Sequence, residues 1–181
     1  MSPAKETAMD NWKGLRVHFV GIGGAGMSSL ARILHAAGAL ISGSDLQDSP
    51  TVQTLRAMGI PVAPQHDPAN IPNPCHLTVA TAAVHPANPE LNAARLQGTP
   101  ILKYAQLLGR ISRQKHCIAV SGCHGKTTTT GLVGYILQQA GLDPAIVVGG
   151  CVEQIGGHGR PGAGPHFVVE ACEFDRSFHS L

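Results

Sequence analysis

Two short glycine-rich loops, each set between an apolar β-type run and a helical run, constrain this chain more than any other feature. The first is Gly21-Ile22-Gly23-Gly24-Ala25-Gly26, which follows the run RVHFVG and precedes MSSLARILHAA. The second is Gly122-Cys123-His124-Gly125-Lys126-Thr127, which follows the buried strand predicted for HCIAV and opens a helix over 126–140. Such a turn lets backbone N–H groups converge on an anion at the positive end of a helix dipole. Two of them in one chain predict two nucleotide-type units in tandem, with a boundary near 110–115, rather than one continuous sheet.

The remaining pattern supports an α/β fold, a parallel sheet covered by helices, because short β-branched runs alternate with Ala- and Leu-rich stretches. Strands are expected over 16–21, 39–43, 77–81, 100–102, 116–120, 145–148 and 166–170. Helices are expected over 27–37, 50–58, 88–96, 104–114 and 126–140, with 104–114 leading away from the first unit. Pro-rich 61–74 and Gly-rich 149–164 read as mainly loop. The expected organisation is an N-terminal extension (1–14), a Rossmann-like domain (15–110) and part of a P-loop-type ATPase domain (111–181).

Composition excludes several classes. Lys plus Arg is 13 and Asp plus Glu is 11, a net charge of +2. Charged residues are 13%, against about 25% in an average protein, which disfavours disorder, a nucleic-acid arm and an acidic tail. No apolar run approaches the roughly 18 residues of a membrane span. The first twelve residues lack the apolar core of a secretory signal. A cytoplasmic protein without membrane insertion is the expectation. Five cysteines without a C-x-x-C spacing argue for free thiols rather than disulfides or a zinc knuckle, and the ten histidines show no metal-binding spacing.

The chemistry of each loop follows from its residue types. Asp45 closes the second strand 19 residues after Gly26, where an acid accepts ribose hydroxyls in dinucleotide-binding folds. NAD, FAD and UDP-sugars all satisfy that description, and Ser44-Asp45 also reads as a simple turn cap. In the second loop Lys126 supplies a cation and Thr127 a hydroxyl for Mg2+. One lysine–phosphate pair at about 4 Å is worth roughly 4 kcal/mol before desolvation. After the last strand comes Glu170-Ala171-Cys172-Glu173-Phe174-Asp175, where Glu173 or Glu170 is placed to hold magnesium, as acids at neighbouring strand ends do in P-loop enzymes.

Three stretches together, VHFVGIGGAGMSSLA with SGSD ending at Asp45, SGCHGKTTTT from Ser121, and VVEACEFDRSF from Val168, resemble the Mur ligase family. The family's phosphate loop reads G-T-H-G-K-T-T-T-T, so the short spacing is a family feature. His124-Gly125 with Thr127 to Thr130 fits the alanine-adding member. The resemblance implies ATP-driven amide formation, in which the carboxylate of UDP-N-acetylmuramate becomes an acyl phosphate and is attacked by the amine of L-alanine. It implies that Gly23, Gly24, Ala25, Gly26 and Met27 with Ser44 and Asp45 hold the UDP-sugar. Gly122, Cys123, His124, Gly125, Lys126, Thr127 and Thr128 would hold ATP. Lys126 and Glu173 are the implied catalytic residues, with Thr127 and Glu173 on magnesium. Cys123 and Cys172 depart from the family's usual threonine and aspartate. Leu181 falls before the adenine-reading segment and the amino-acid-binding third domain of the family. The resemblance thus implies a fragment that does not catalyse ligation alone and that exposes apolar surface beyond about Arg110.

Two other functions fit part of the sequence. An NAD-dependent oxidoreductase accounts for Gly21 to Asp45 but leaves the second loop without a role. A non-catalytic UDP-sugar or nucleotide-binding module accounts for both loops without ligation.

Overall fold

Strand β1 (Arg16–Val20) is buried from Val17 to Val20 and leads straight into the first glycine loop. The structure is a computed structural model and describes residues 11–171. Helix α1 (Ala25–Ala36) buries Met27, Leu30, Ala31 and Leu34, an i, i+3, i+4, i+7 stripe that gives a helix one apolar face. Gly38, at φ +88°, ends it in the left-handed conformation that suits glycine after a helix C-terminus. Next come β2 (Leu40–Ser44), α2 (Pro50–Ala57), β3 (Val62–Ala63), β4 (Leu77–Ala80), α3 (Pro89–Leu96), β5 (Ile101–Lys103) and α4 (Tyr104–Arg113). Ser49 caps α2, its hydroxyl accepting from Val52 N, and Asn88 caps α3, its amide oxygen accepting from Glu90 N and Leu91 N.

The first sheet has the order β3-β2-β1-β4-β5 and all its pairs are parallel. Connections from β1 and β4 leave in opposite directions, so a crevice opens outside their C-terminal ends, where ligands bind in doubly wound folds.

The second sheet contains β6 (His116–Val120), β7 (Ala145–Val152), β8 (Gly157–Arg160) and β9 (His166–Glu170), in the order β6-β9-β7-β8. β6, β9 and β7 run parallel, and β8 returns antiparallel to β7. Helix α5 (Lys126–Gln139) joins β6 to β7. Successive residues of β7 and β9 face opposite sides. Ala145, Val147, Phe167 and Val169 point into a core shared with α1 and α4, while Ile146, Val148 and Val168 face Val133 and Leu137 of α5.

Several expectations differ from the structure. Helix α4 does not lead away from the first unit. Leu107 and Leu108 are fully buried between the sheets, each stabilising the fold by about 1.5–3 kcal/mol. The two sheets consequently share one core. The expected boundary at 110/111 falls inside α4, and the chain crosses to the second sheet at Gln114 and Lys115. Trp12, placed in an N-terminal extension, is buried and lies 5.9 Å from the Arg110 guanidinium. The stretch read as loop over 149–164 instead completes β7 and builds β8. Strand β6 exists where expected but is not buried: His116, Cys117 and Ala119 are exposed because β6 lies at the sheet edge.

Candidate nucleotide sites at two strand ends

The first glycine loop turns at Gly21, whose φ of +79° is costly for any side chain. Its N–H and that of Ile22 both donate to Ser44 O, tying the loop to the end of β2. Asp45 Oδ2 then accepts from Gly23 N at 2.8 Å, and its Oδ1 accepts from Gln47 N at 3.0 Å. Gly24 caps α1 without a side-chain acceptor, and the first turn of α1 holds no acid. The helix therefore presents backbone donors to an incoming anion.

These elements border a cleft of about 660 Å³ lined by Gly21, Gly24, Asp45, Leu46, Gln47 and His66, and by Thr81 to Pro89 on the far wall. The structure thus brings Gly24 and Asp45 together at the cleft. Ala25 and Gly26 follow in the first turn of α1, with Gly26 beneath the ring of Tyr104. Met27 and Ser44 turn their side chains away, Met27 into the core at 3% exposure and Ser44 into a buried polar cluster. No sequence motif marks His66 or the loop after β4. Their one signal was position, since they follow strands that end at the same sheet edge.

The polar cluster is built on Glu90, at the start of α3 and wholly buried. Its carboxylate accepts from Ser44 Oγ at 2.6 Å, Asn70 Nδ2 at 2.6 Å and His66 Nδ1 at 3.0 Å, and His18 Nε2 lies 3.6 Å away. Burial pushes this carboxyl upward, but the neighbouring His18 ring and the Ser44 and Asn70 donors outweigh burial and hold it at about 2.

The second loop leaves β6 at Val120 and enters α5 through Gly125, left-handed at φ +74°. Gly122, Cys123, His124, Gly125 and Thr128 are exposed, and Lys126 and Thr127 are half-buried. Lys126 Nζ lies over the loop and donates to Gly122 O at 2.6 Å. Thr127 Oγ1 donates to Glu170 Oε2 at 2.9 Å, and Gly149 N donates to the same oxygen at 2.8 Å. Pairing of β9 beside β6 puts Glu170 at the strand end next to the loop. A cleft of about 640 Å³ opens beside Thr127 and Thr128, between α5 and the Cys151 to Gln154 segment. Glu173 and Cys172 lie outside the described residues.

Magnesium takes hard oxygen donors, commonly one or two carboxylates with phosphate oxygens and water. The Thr127 hydroxyl and Glu170 carboxylate, side by side next to Lys126, fit that requirement. Among the described residues no group of three or more His, Cys, Asp or Glu is arranged to hold a metal ion.

A doubly wound sheet with a glycine turn at its switch point is followed by a second strand–glycine loop–helix unit with an acid on the adjacent strand. Residues 16–116 match the Mur ligase family, catalytic domain, and the chain belongs to that family. It is 47% identical over 165 residues to the UDP-N-acetylmuramate--L-alanine ligase of Acidiphilium cryptum, covering 91% of this chain and 34% of that relative. The structure is similar to UDP-N-acetylmuramate-alanine ligase MurC of Thermotoga maritima, with TM-score 0.79 and 34% identity over 86% of this chain and 36% of that one. It is also similar to the murein peptide ligase of Psychrobacter arcticus, with TM-score 0.83 and 27% identity over 93% of this chain and 41% of that one. The chain thus spans about a third of the length of the curated relatives it matches.

Proposed function

We propose that this chain is the UDP-sugar- and ATP-phosphate-holding portion of a ligase that joins L-alanine to UDP-N-acetylmuramate in peptidoglycan biosynthesis. The observation that carries the reading is the Thr127–Glu170 pair beside Lys126. A nicotinamide-dependent oxidoreductase has no use for this second site. Support for the substrates comes from the names of relatives similar over nine-tenths of this chain.

In this reading the first cleft takes the UDP-sugar. The amides of Gly24, Ala25, Gly26 and Met27 face its diphosphate, Asp45 shapes the loop, and Ser44 supports the wall from behind. Residues 122–128 take the ATP phosphates. ATP transfers its γ-phosphoryl group to the muramate carboxylate, and the amine of L-alanine displaces phosphate from the resulting acyl phosphate. Lys126 Nζ leaves Gly122 O and stabilises charge on the transferred group. Thr127 and Glu170 would hold Mg2+, with Glu173 as a further carboxylate of the same segment. The ion, when bound, neutralises charge on the β- and γ-phosphates. The reading sets the chain in the cytoplasm, where ATP and nucleotide sugars are available.

The test is calorimetric titration of the full chain with Mg·ATP, UDP-N-acetylmuramate and NAD. Both of the first two should bind independently. Lys126→Ala should weaken ATP by about 100-fold, on the order of 3 kcal/mol of charge pairing, and leave the UDP-sugar unchanged. Binding of NAD in preference to UDP-N-acetylmuramate, or ATP affinity indifferent to Lys126→Ala, would overturn the reading.

A further inference from the structure

Glu90 is the one fully buried carboxylate among the described residues, and the chemistry above gives it no task. It does not reach the cleft, but His66 does. His66 is 19% exposed, lines the cleft, and turns its Nδ1 inward to Glu90 Oε2 at 3.0 Å and Ser44 Oγ at 3.0 Å.

The positions of the protons follow from counting. Ser44 has one hydroxyl hydrogen, and the 2.6 Å contact commits it to Glu90 Oε2. The carboxylate is held ionised over the ordinary pH range and only accepts. The hydrogen between Glu90 and His66 must then come from His66 Nδ1. In the neutral imidazole, which has a single N–H, Nε2 then carries a lone pair. Among the described residues Nε2 has no protein partner.

We propose that Glu90 is a positioning residue of the first cleft: it fixes His66 in the Nδ1–H tautomer and so presents Nε2 as an acceptor for an N–H or O–H donor of a bound nucleoside. The inference rests on the reading of this cleft as a UDP-sugar site. In doubly wound folds the acid after the second strand takes the ribose; each oxygen of Asp45 accepts one backbone N–H, from Gly23 or Gln47, and keeps a further lone pair. His66 stands at the same end of the cleft with an uncommitted acceptor. Asn70 and His18 complete the support: Asn70 Nδ2 bonds to Oε1, the oxygen His66 does not use, and His18 Nδ1 is paired with Ser42 Oγ at 2.9 Å.

The experiment is imidazole 15N NMR of the labelled full chain at pH 8, with UDP as the probe. His66 should show a protonated Nδ1 and an unprotonated Nε2, and UDP should shift Nε2 as a hydrogen bond forms. His66→Phe should weaken UDP about tenfold, the worth of one hydrogen bond. Glu90→Gln should mix the two tautomers and weaken UDP similarly. The His66→Phe penalty should vanish with 2′-deoxy-UDP if a ribose hydroxyl is the donor, and with 3-methyl-UDP if the base is. A wild-type His66 protonated on Nε2 overturns the proposal whether or not UDP binds. Unchanged UDP affinity in His66→Phe overturns it while leaving the cleft's assignment standing. Failure of UDP to bind a chain with the expected tautomer overturns that assignment and the nucleoside recipient together. Should Glu90→Gln fail to fold, the wild-type spectrum and His66→Phe still decide.

Discussion

Glu90 shows how far a single residue's role depends on its surroundings. Its carboxyl moves from an ordinary 4.5 to about 2 because its hydrogen-bonding neighbours outweigh its burial. A folded value below the unfolded one gives stability that is fully present above about pH 4.5 and is lost as pH falls toward 2. We expect wild type to exceed Glu90→Gln by on the order of 3 kcal/mol at pH 7, with the gap closing near pH 2. Urea unfolding at both pH values checks this, and an equal gap at the two would contradict it. Nothing in the sequence around Asn88-Pro89-Glu90 marks this acid as buried, because its partners come from β1, β2 and the 66–70 segment. Lys126, Gly125 and Thr127 were legible by contrast, since their chemistry is local: a left-handed glycine, a cation and a hydroxyl in consecutive positions.

At the scale of elements, α5 departs from the usual amphipathic plan. Its buried residues are Thr130, Gly131 and Gly134, while Leu132 and Ile136 are 57% and 55% exposed. Small residues face the sheet because Ile146 fills the space beneath Gly134, where an added Cβ would lie 2.5 Å from Ile146 Cδ1. Gly134→Val should cost about 2–3 kcal/mol through overpacking and also weaken ATP, because Lys126 and Thr127 ride on the first turn of the same helix. Leu132→Ser should stay within about 0.5 kcal/mol of wild type. Thermal unfolding and ATP titration of the two variants measure the contrast, and equal losses would mean that α5 packs by its apolar face. Hydrophobic periodicity placed this helix correctly along the chain but gave no access to which face is buried. The hairpin of β7 and β8 was unreadable for a related reason: Gly157 and Gly159 read as loop, and only pairing with β7 makes them strand.

For the whole molecule, the decisive contact is between units. Helix α1, which starts at the first cleft, packs on β7 and β8 of the second sheet. Ser29 Oγ donates to His158 O at 2.9 Å, and Arg32 Nη1 to Gly156 O at 3.4 Å. Gly159 permits this approach, because a Cβ there would collide with Ile146 O and sit 2.9 Å from Ser29 Oγ. Gly159→Ala should therefore lower stability by about 2 kcal/mol and Tm by roughly 4–8 °C. Scanning calorimetry tests this, and an unchanged Tm would mean that the sheets are not held in register by this hairpin.

By itself the sequence determined the α/β class and the two glycine loops, each set between a strand and a helix. Each of these depends on residues within one strand–turn–helix unit, where glycine placement and apolar periodicity act over a few positions. Tertiary structure alone decided the rest: that the sheets share a core through α1 and α4, that Glu170 faces Thr127, and that Glu90 stands behind His66. Those relations join residues 24 to 129 positions apart. They are set by strand order and side-chain packing, which no local pattern encodes.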